Sequence, residues 1–342
     1  MSATLSVVIP VYNEEAGLAA LYARLYPELD KLGRQYEVIF VDDGSSDRSV
    51  ASLREQFQRR TDTTRVIVLA RNAGQHMAIL AGFAQARGDY VITLDADLQN
   101  PPEEIAKIVV AMDEGADYVG TVRARRHDVY WRKAASRLMN RIRERTTSIS
   151  ISDQGCMLRG YHRNIVEAIN RCLEVSTYVP ALGYTFARHP VEIEVAHAQR
   201  QAGQSKYSLY RLIRLNFDLM TGFSVAPLQF FTMAGTALAL LSLVGVLGLA
   251  VRRLVVGPEA EGVFTLFGIA FFLIGVLLIG LGVVGEYVGR IYEQVRQRPR
   301  YMIAAVLEEG EDSTQRLSLP QAGAHQHSSH PAGASHPAGG VE

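Results

Sequence analysis

Through the first two hundred residues, short apolar runs alternate with stretches of helical period. The apolar runs cover residues 5–11, 37–41, 66–70 and 90–94, and helical patterns lie between them near 15–32, 49–60 and 76–87. Short continuous runs bounded by polar turns suit strands buried on both faces. Their alternation with helices predicts an α/β fold whose mostly parallel sheet is covered on each side. Two more β-rich runs, 118–122 and 191–196, are expected to complete it, with a further strand predicted after Asp153. No GxGxxG follows the first strand and no GxxxxGK[ST] occurs anywhere. Dinucleotide and P-loop sites therefore lose their usual support.

The pattern then changes. Residues 228–251 and 262–285 each run 24 residues without a charged side chain, enough as helix to cross a hydrocarbon core of about 30 Å. Two spanning helices, joined as a hairpin, are predicted. Arg290, Arg296, Arg298 and Arg300 follow the second run, and nine Lys or Arg face only Asp128 and Glu144 between 123 and 145. Positive flanks favour the cytoplasmic side, so both ends are expected inside, although Arg252 and Arg253 in the connecting loop run against the rule.

Two amphipathic helices are predicted at the membrane interface. Near 129–145, Trp131, Ala135, Leu138 and Ile142 recur at helical spacing with Arg132, Lys133, Arg137 and Arg141 around them. Within 207–226, Leu209, Leu212, Ile213, Leu219 and Met220 form a second stripe. The expected organisation is a cytoplasmic catalytic unit over 1–206, which includes the first of these helices, then a juxtamembrane helix over 207–226. A membrane hairpin over 227–289, a cytoplasmic extension over 290–308 and a disordered tail of Gly, Ala, Ser, Pro and His over 309–342 follow.

Composition changes little. With 342 residues, 48 % of them hydrophobic, the chain has a formal net charge of zero, so no global field points to nucleic acid as a partner. Cys156 and Cys172 lack metal-ligand spacing and read as reduced core thiols. The apolar run at 6–11 has no basic region before it and is too short for a signal peptide.

The candidate chemistry sits at strand ends, where open α/β sheets bind ligands. Residues 95–99 read Asp-Ala-Asp-Leu-Gln, and if the strand stays extended, Asp95, Asp97 and Gln99 share one side. Three hard oxygen ligands of this kind suit Mg2+ or Mn2+ carrying a diphosphate; a plain polar turn is the competing reading. Asn100, Pro102 and Glu103 are expected to cap the next helix. The first strand ends in Pro10-Val-Tyr12-Asn-Glu14 and the second in Asp42-Asp43-Gly-Ser-Ser-Asp47. Either turn alone could be a helix cap, yet carboxylates at three strand ends of one sheet are more than capping requires.

The segments VVIPVYNEE, VDDGSSD and LDADLQNPPEE resemble family 2 glycosyltransferases of the GT-A fold, in the branch that charges polyprenyl phosphates with sugar. The resemblance runs from about residue 5 to 305 and includes GEYVGRIYEQVRQRPRY. It implies a Rossmann-like catalytic domain, a UDP-sugar donor, undecaprenyl phosphate as acceptor, and inversion at the sugar without a covalent intermediate. Within the branch, RNAGQHMAILAGF, DQGCMLRGY and RQAGQSKYS point to a 4-formamido-arabinose donor, destined for lipid A and resistance to cationic peptides. Cys156-Met157, where glucose-transferring relatives more often carry Asp-Phe, favours that sugar. Gln154 and Gln204 depart from the pattern.

The resemblance and the chemistry of the residues together suggest roles. Pro10, Tyr12, Glu14, Asp42, Asp43 and Asp95 would line the nucleotide, with Arg123, Arg200, Ser205 and Lys206 on its phosphates. Asp153 and Asp97 would be the catalytic carboxylates, the metal would sit on Asp95, Asp97 and Gln99, and Arg132, Arg137 and Arg141 would grip the lipid phosphate. A multi-pass place in the bacterial inner membrane, contact with the bilayer and a homo-oligomer, by resemblance a tetramer, complete the expectation. Two other readings stand beside it: a polyprenyl-phosphate glucosyltransferase, and an inactive membrane scaffold that binds nucleotide sugar.

Overall fold

The computed structural model describes residues 3–123, 151–153, 155–172, 178–196, 225–257, 263–296 and 298–310. Strands β1 (Leu5–Val11), β2 (Tyr36–Asp42), β3 (Thr64–Leu69) and β4 (Tyr90–Thr93) alternate with helices α1 (Glu15–Lys31), α2 (Ser49–Arg59) and α3 (Gln75–Gln85). A 3-10 turn at Pro102–Glu104, α4 (Ile105–Asp113) and β5 (Tyr118–Arg123) follow. Then come β6 (Arg159–His162), α5 (Arg163–Arg171), α6 (Val179–Phe186) and β7 (Pro190–Val195). The described chain ends with α7 (Ala226–Val256), α8 (Val263–Val295) and β8 (Ile303–Leu307).

These strands make one sheet in the order β7-β5-β6-β4-β1-β2-β3-β8. β1 runs parallel to β2 and β4, β2 to β3, and β5 to β7. β6 runs antiparallel to β4 and β5, and β8 antiparallel to β3. Reversal of β6 places its beginning at the same sheet edge as the ends of β4 and β5. The segment leading into β6 is thereby brought to the edge where parallel strands present ligands.

Alternation along the strands divides the core. Leu5, Val7, Ile9 and Val11 face Leu18, Leu21, Leu25 and Leu29 of α1, with Ile105, Ile108 and Val109 of α4 in the same layer. Val8, Ile39, Val41 and Ile67 point the other way, onto Ala78, Ile79 and Phe83 of α3 and Ile165 and Ile169 of α5. Helix α3 lies so close to the sheet that a Cβ on Gly82 would stand 2.3 Å from a methyl of Val8. Pro10 sits in central β1 without cost because β4 pairs with β1 only as far as Val8.

Sequence patterning did not foresee β8. Val66 pairs with Leu307 and Val68 with Ala305, so the end of the 290–308 extension covers the outer edge of β3. Glu308 anchors it: its carboxylate accepts from Arg65 Nη2 at 3.0 Å and from Arg87. Arg65 is nearly fully buried and donates also to Glu37 at 3.1 Å. Replacing Glu308 by Ala should therefore lower folding stability by about 1.5–3 kcal/mol, the range for hydrogen bonds to charged groups. Chemical denaturation checks this, with turnover per folded molecule expected to hold.

Helices α7 and α8 are 31 and 33 residues long. Within Ile269–Val295 the most apolar 18-residue stretch has mean hydropathy 2.4 and 6 % of it is buried, whereas Ala226–Ser242 is a shorter apolar stretch. Among the described residues, one helix meets both the length and the apolarity of a membrane span, where patterning predicts two. The predicted interface helices, at 129–145 and in the 207–226 stripe, lie outside the described residues, as does the tail from 311 onward.

Candidate active site

The turns that end β1 and β2 are sewn to each other. Asn13, at φ 55°, accepts from the Ser46 amide through Oδ1 at 2.8 Å, while Ser45 Oγ accepts from the Asn13 amide at 3.0 Å. Ser49 Oγ accepts from the Glu14 amide at 3.0 Å and Asp47 from the Glu15 amide at 3.2 Å. These polar residues replace the conventional N-cap of α1, which makes no side-chain cap bond. Glu14 is fixed at the sheet edge as a result, and Tyr12 beside it is 49 % exposed.

Gly44 closes the second turn. Its φ is +71°, and a Cβ there would stand 2.6 Å from the Asn72 amide nitrogen. That close approach lets Asp43 reach the same loop: its two carboxylate oxygens accept from the Ala73 and Gly74 amides at 2.7 and 2.9 Å. Burial pushes the Asp43 carboxyl up, with the neighbouring Asp42 adding to it and the two amide bonds opposing. Asp42 accepts from the Gly44 and Ser45 amides through Oδ2, both at 3.1 Å, and its Oδ1 is buried without a hydrogen-bond partner.

At the end of β4 the chain does not stay extended. The strand stops at Thr93, a turn begins at Ala96, and Leu98 takes φ 60°. Burial nevertheless alternates, with Leu94, Ala96 and Leu98 packed in the core and Asp95, Asp97 and Gln99 on the partly exposed side. Gln99 folds back on its neighbour, donating from Nε2 to Asp97 at 2.7 Å and from its amide at 3.1 Å. Asp95 accepts from Gln75 Nε2 at 2.6 Å and from Asn100 Nδ2 at 3.4 Å. The expected capping box does not form: Pro101 precedes the 3-10 turn, Asn100 turns to Asp95, and Glu103 pairs with Arg24 at 2.9 Å.

Burial pushes the Asp95 carboxyl up to about 7, the charge of Asp97 next in weight and Glu14 contributing, with Gln75 and Arg123 opposing. Three acids thus crowd one edge. Arg123, at the end of β5, meets Asp153 bidentately, Nε at 2.6 Å and Nη2 at 2.8 Å. The predicted phosphate ligand and the predicted catalytic carboxylate are therefore partners here, and Asp153 is only 2 % exposed.

Sequence reasoning gave Gln75 and Arg159 no part in this edge, and read Asn100 as a helix cap and Cys156 as a core thiol and a mark of the sugar. Gln75 opens α3 after Gly74, Asn100 joins Asp95 to Cys156 Sγ, which donates to Asn100 Oδ1 at 3.3 Å, and Arg159 lies buried behind them. An amide or thiol of neutral charge gives no pattern to notice until the fold assembles it. Arg132, Arg137, Arg141, Arg200, Ser205 and Lys206 lie outside the described residues.

Residues 6–169 match glycosyl transferase family 2. A relative from Edwardsiella ictaluri, named undecaprenyl-phosphate 4-deoxy-4-formamido-L-arabinose transferase, is 51 % identical over 304 residues, 88 % of this chain and 94 % of the relative. The chain belongs to glycosyl transferase family 2. A relative of the same name from Klebsiella pneumoniae is 50 % identical over 311 residues, 90 % of this glycosyltransferase and 95 % of that protein. A crystal structure of glucosyl-3-phosphoglycerate synthase from Mycobacterium tuberculosis superposes with TM-score 0.45 and 19 % identity, covering 64 % of this chain and 78 % of that one.

Proposed function

We propose that this glycosyltransferase moves 4-deoxy-4-formamido-L-arabinose from a UDP donor to undecaprenyl phosphate, with inversion, at the inner face of the bacterial cytoplasmic membrane. The product would serve lipid A modification and resistance to cationic peptides. The observation that carries the reading is identity of about half over about nine-tenths of the chain to relatives of that named activity. Helices α7 and α8 support a membrane place for the acceptor, as the expected hairpin, and the apolar segment Ile269–Val295 is long enough to span.

The acid edge accounts for the donor's needs. Asp95 raised to about 7 by burial and by Asp97 and Glu14 marks negative charge short of a cation. Among the described residues no three His, Cys, Asp or Glu side chains form a ready metal group. The donor set that fits is Asp95 and Asp97 with the Gln99 side-chain carbonyl, all hard oxygens suited to Mg2+ or Mn2+. Such an ion supplies positive charge against the departing UDP diphosphate. Glu14 and Asp43 are assigned to the nucleoside, Asp42, Pro10 and Tyr12 to the walls around it, and Arg200, Ser205 and Lys206 to the donor phosphates.

The acceptor oxygen is already anionic, so strong general-base help is not required. Asp153, with both oxygens engaged by Arg123, is better suited to orient that guanidinium than to remove a proton. Arg132, Arg137 and Arg141 are proposed to hold the lipid phosphate.

The test uses purified protein in lipid nanodiscs with undecaprenyl phosphate, Mn2+ and a panel of UDP-sugars, read by mass spectrometry of the lipid. A formamide presents an N–H donor and a carbonyl acceptor on separate atoms, an arrangement that a hydroxyl or an amine cannot reproduce, and a site pairing both discriminates by several kcal/mol. The formamido sugar should react at least a hundredfold faster by kcat/KM than UDP-glucose. A higher specificity constant for UDP-glucose overturns the sugar assignment and leaves the lipid-phosphate acceptor in place.

A further inference from the structure

Arg159, the first residue of β6, has 0 % exposure and heads the fully buried side chains by volume. It forms no ion pair with a carboxylate among the described residues. All three of its nitrogens instead donate to neutral oxygens: Nε to the Cys156 carbonyl at 2.9 Å, Nη1 to the Tyr118 hydroxyl at 2.6 Å and Nη2 to the Asp153 carbonyl at 2.6 Å. The Tyr118 ring lies 6.0 Å from the guanidinium carbon and packs edge-on against Tyr161. Taking a cation out of water without a counter-ion costs several kcal/mol, and an apolar side chain of similar volume would serve a core better. Core packing does not explain an arginine here.

The two carbonyls it grips do. Asp153 and Cys156 both lie on the chain leading into β6, and each sends its side chain to the acid edge. Asp153 meets Arg123, helped by the Gly155 amide on Oδ1 at 3.0 Å. Cys156 donates to Asn100, whose own amide donates to Asp95, and Thr121 Oγ1 lies 2.9 Å from the same thiol. A planar fork with fixed donor directions suits two carbonyls three residues apart; a lysine ammonium has one charge centre and cannot span them with the same geometry.

We propose that Arg159 is a positioning residue for glycosyl transfer: by clamping the Asp153 and Cys156 carbonyls it sets where the Asp153–Arg123 pair stands relative to Asp95. The inference rests on the proposed reaction for its kinetic readout, but it concerns a residue to which that reading gives no part.

The experiment uses the full chain in nanodiscs, with Arg159→Lys, Asp153→Asn and the double variant. Mn2+-dependent UDP affinity is followed by calorimetry, kcat at saturating donor and undecaprenyl phosphate, and hydrogen exchange at amides 155–158. Arg159→Lys should bind UDP within about threefold of the parent, lose tenfold or more in kcat, and exchange faster at those amides. The double variant should be no slower than the slower single, as expected of residues acting as one unit. Losses that multiply, or an unchanged kcat with only a lower melting temperature, overturn the proposal.

Should Arg159→Lys fail to fold, Tyr118→Phe removes only the phenol acceptor; a smaller kcat loss of the same kind supports the clamp and an unchanged kcat rejects it. If the parent consumes none of the UDP-sugars, the proposed reaction falls separately. The exchange arm still decides the clamp, since unaltered protection at 155–158 in the variant rejects it.

Discussion

Asp95→Asn should give a protein that is more stable without metal and close to inactive with it. The carboxyl stands near 7 because burial, Asp97 and Glu14 all disfavour its charge. A raised acid binds more protons folded than unfolded, so metal-free stability falls as pH rises from about 4 to about 7, and the full penalty is present above 7. Removing the charge should return about 1–4 kcal/mol at pH 8, given 1.36 kcal/mol per pKa unit and a penalty shared with its neighbours. Turnover should fall by roughly 10²–10⁴-fold, the several kcal/mol that an ion held here would contribute toward the departing diphosphate. The same titration ties metal to protons: Mn2+ affinity of the parent should weaken about tenfold per pH unit below 7, because the ion must displace one proton. Thermal melts in chelator and Mn2+ titrations at pH 6 and 8 check both halves. A variant that melts lower than the parent in chelator at pH 8 contradicts the charge-crowding account, and one with normal turnover removes Asp95 from the site.

Asp153→Ala should cost about 3–5 kcal/mol of folding stability, the usual loss when one member of a buried ion pair is removed. Its partner Arg123 is 19 % exposed at the side chain and loses two short bonds at once. Asp153→Asn keeps the shape and one acceptor, so it should fold with a smaller loss and separate chemistry from stability. In that variant kcat should drop tenfold or more while UDP binding changes little, because a guanidinium on the donor phosphates would act most strongly where negative charge develops as UDP departs, and Asp153 sets where it points. Urea denaturation and steady-state kinetics on the two variants provide the comparison. Equal loss of UDP affinity and kcat would show that the pair serves ground-state nucleotide binding instead.

The sheet was legible because its strands are short apolar runs between polar turns: β1 begins and ends where the pattern put it, and β2 to β5 and β7 lie within two residues of expectation. Strand β8 was not, since Ile303–Leu307 carries two alanines and follows a long helix, and nothing local says that β3 has an open edge to receive it. The acid positions were readable as carboxylates at strand ends. Their arrangement was not, because Leu98 finds its place in the core only by adopting φ 60°, and that turn brings Gln99 back onto Asp97. The partnership of Arg123 with Asp153 joins residues 30 apart through β6 running backwards beside β5, a fact of topology that no spacing encodes.

The order in which the chain is made gives the last strand a separate significance. Between the end of β7 at Val195 and the start of β8 at Ile303 lie roughly 100 residues, both long apolar helices among them, and at about 5–20 residues per second they take about 5–20 s to synthesise. For that interval the outer rim of β3 has no partner and is open to pairing with other chains. The catalytic sheet is completed only by a segment that leaves the ribosome after α8. A nascent chain stalled at its apolar helices would therefore carry an unfinished enzyme, and closure of the sheet reports that synthesis has passed both of them.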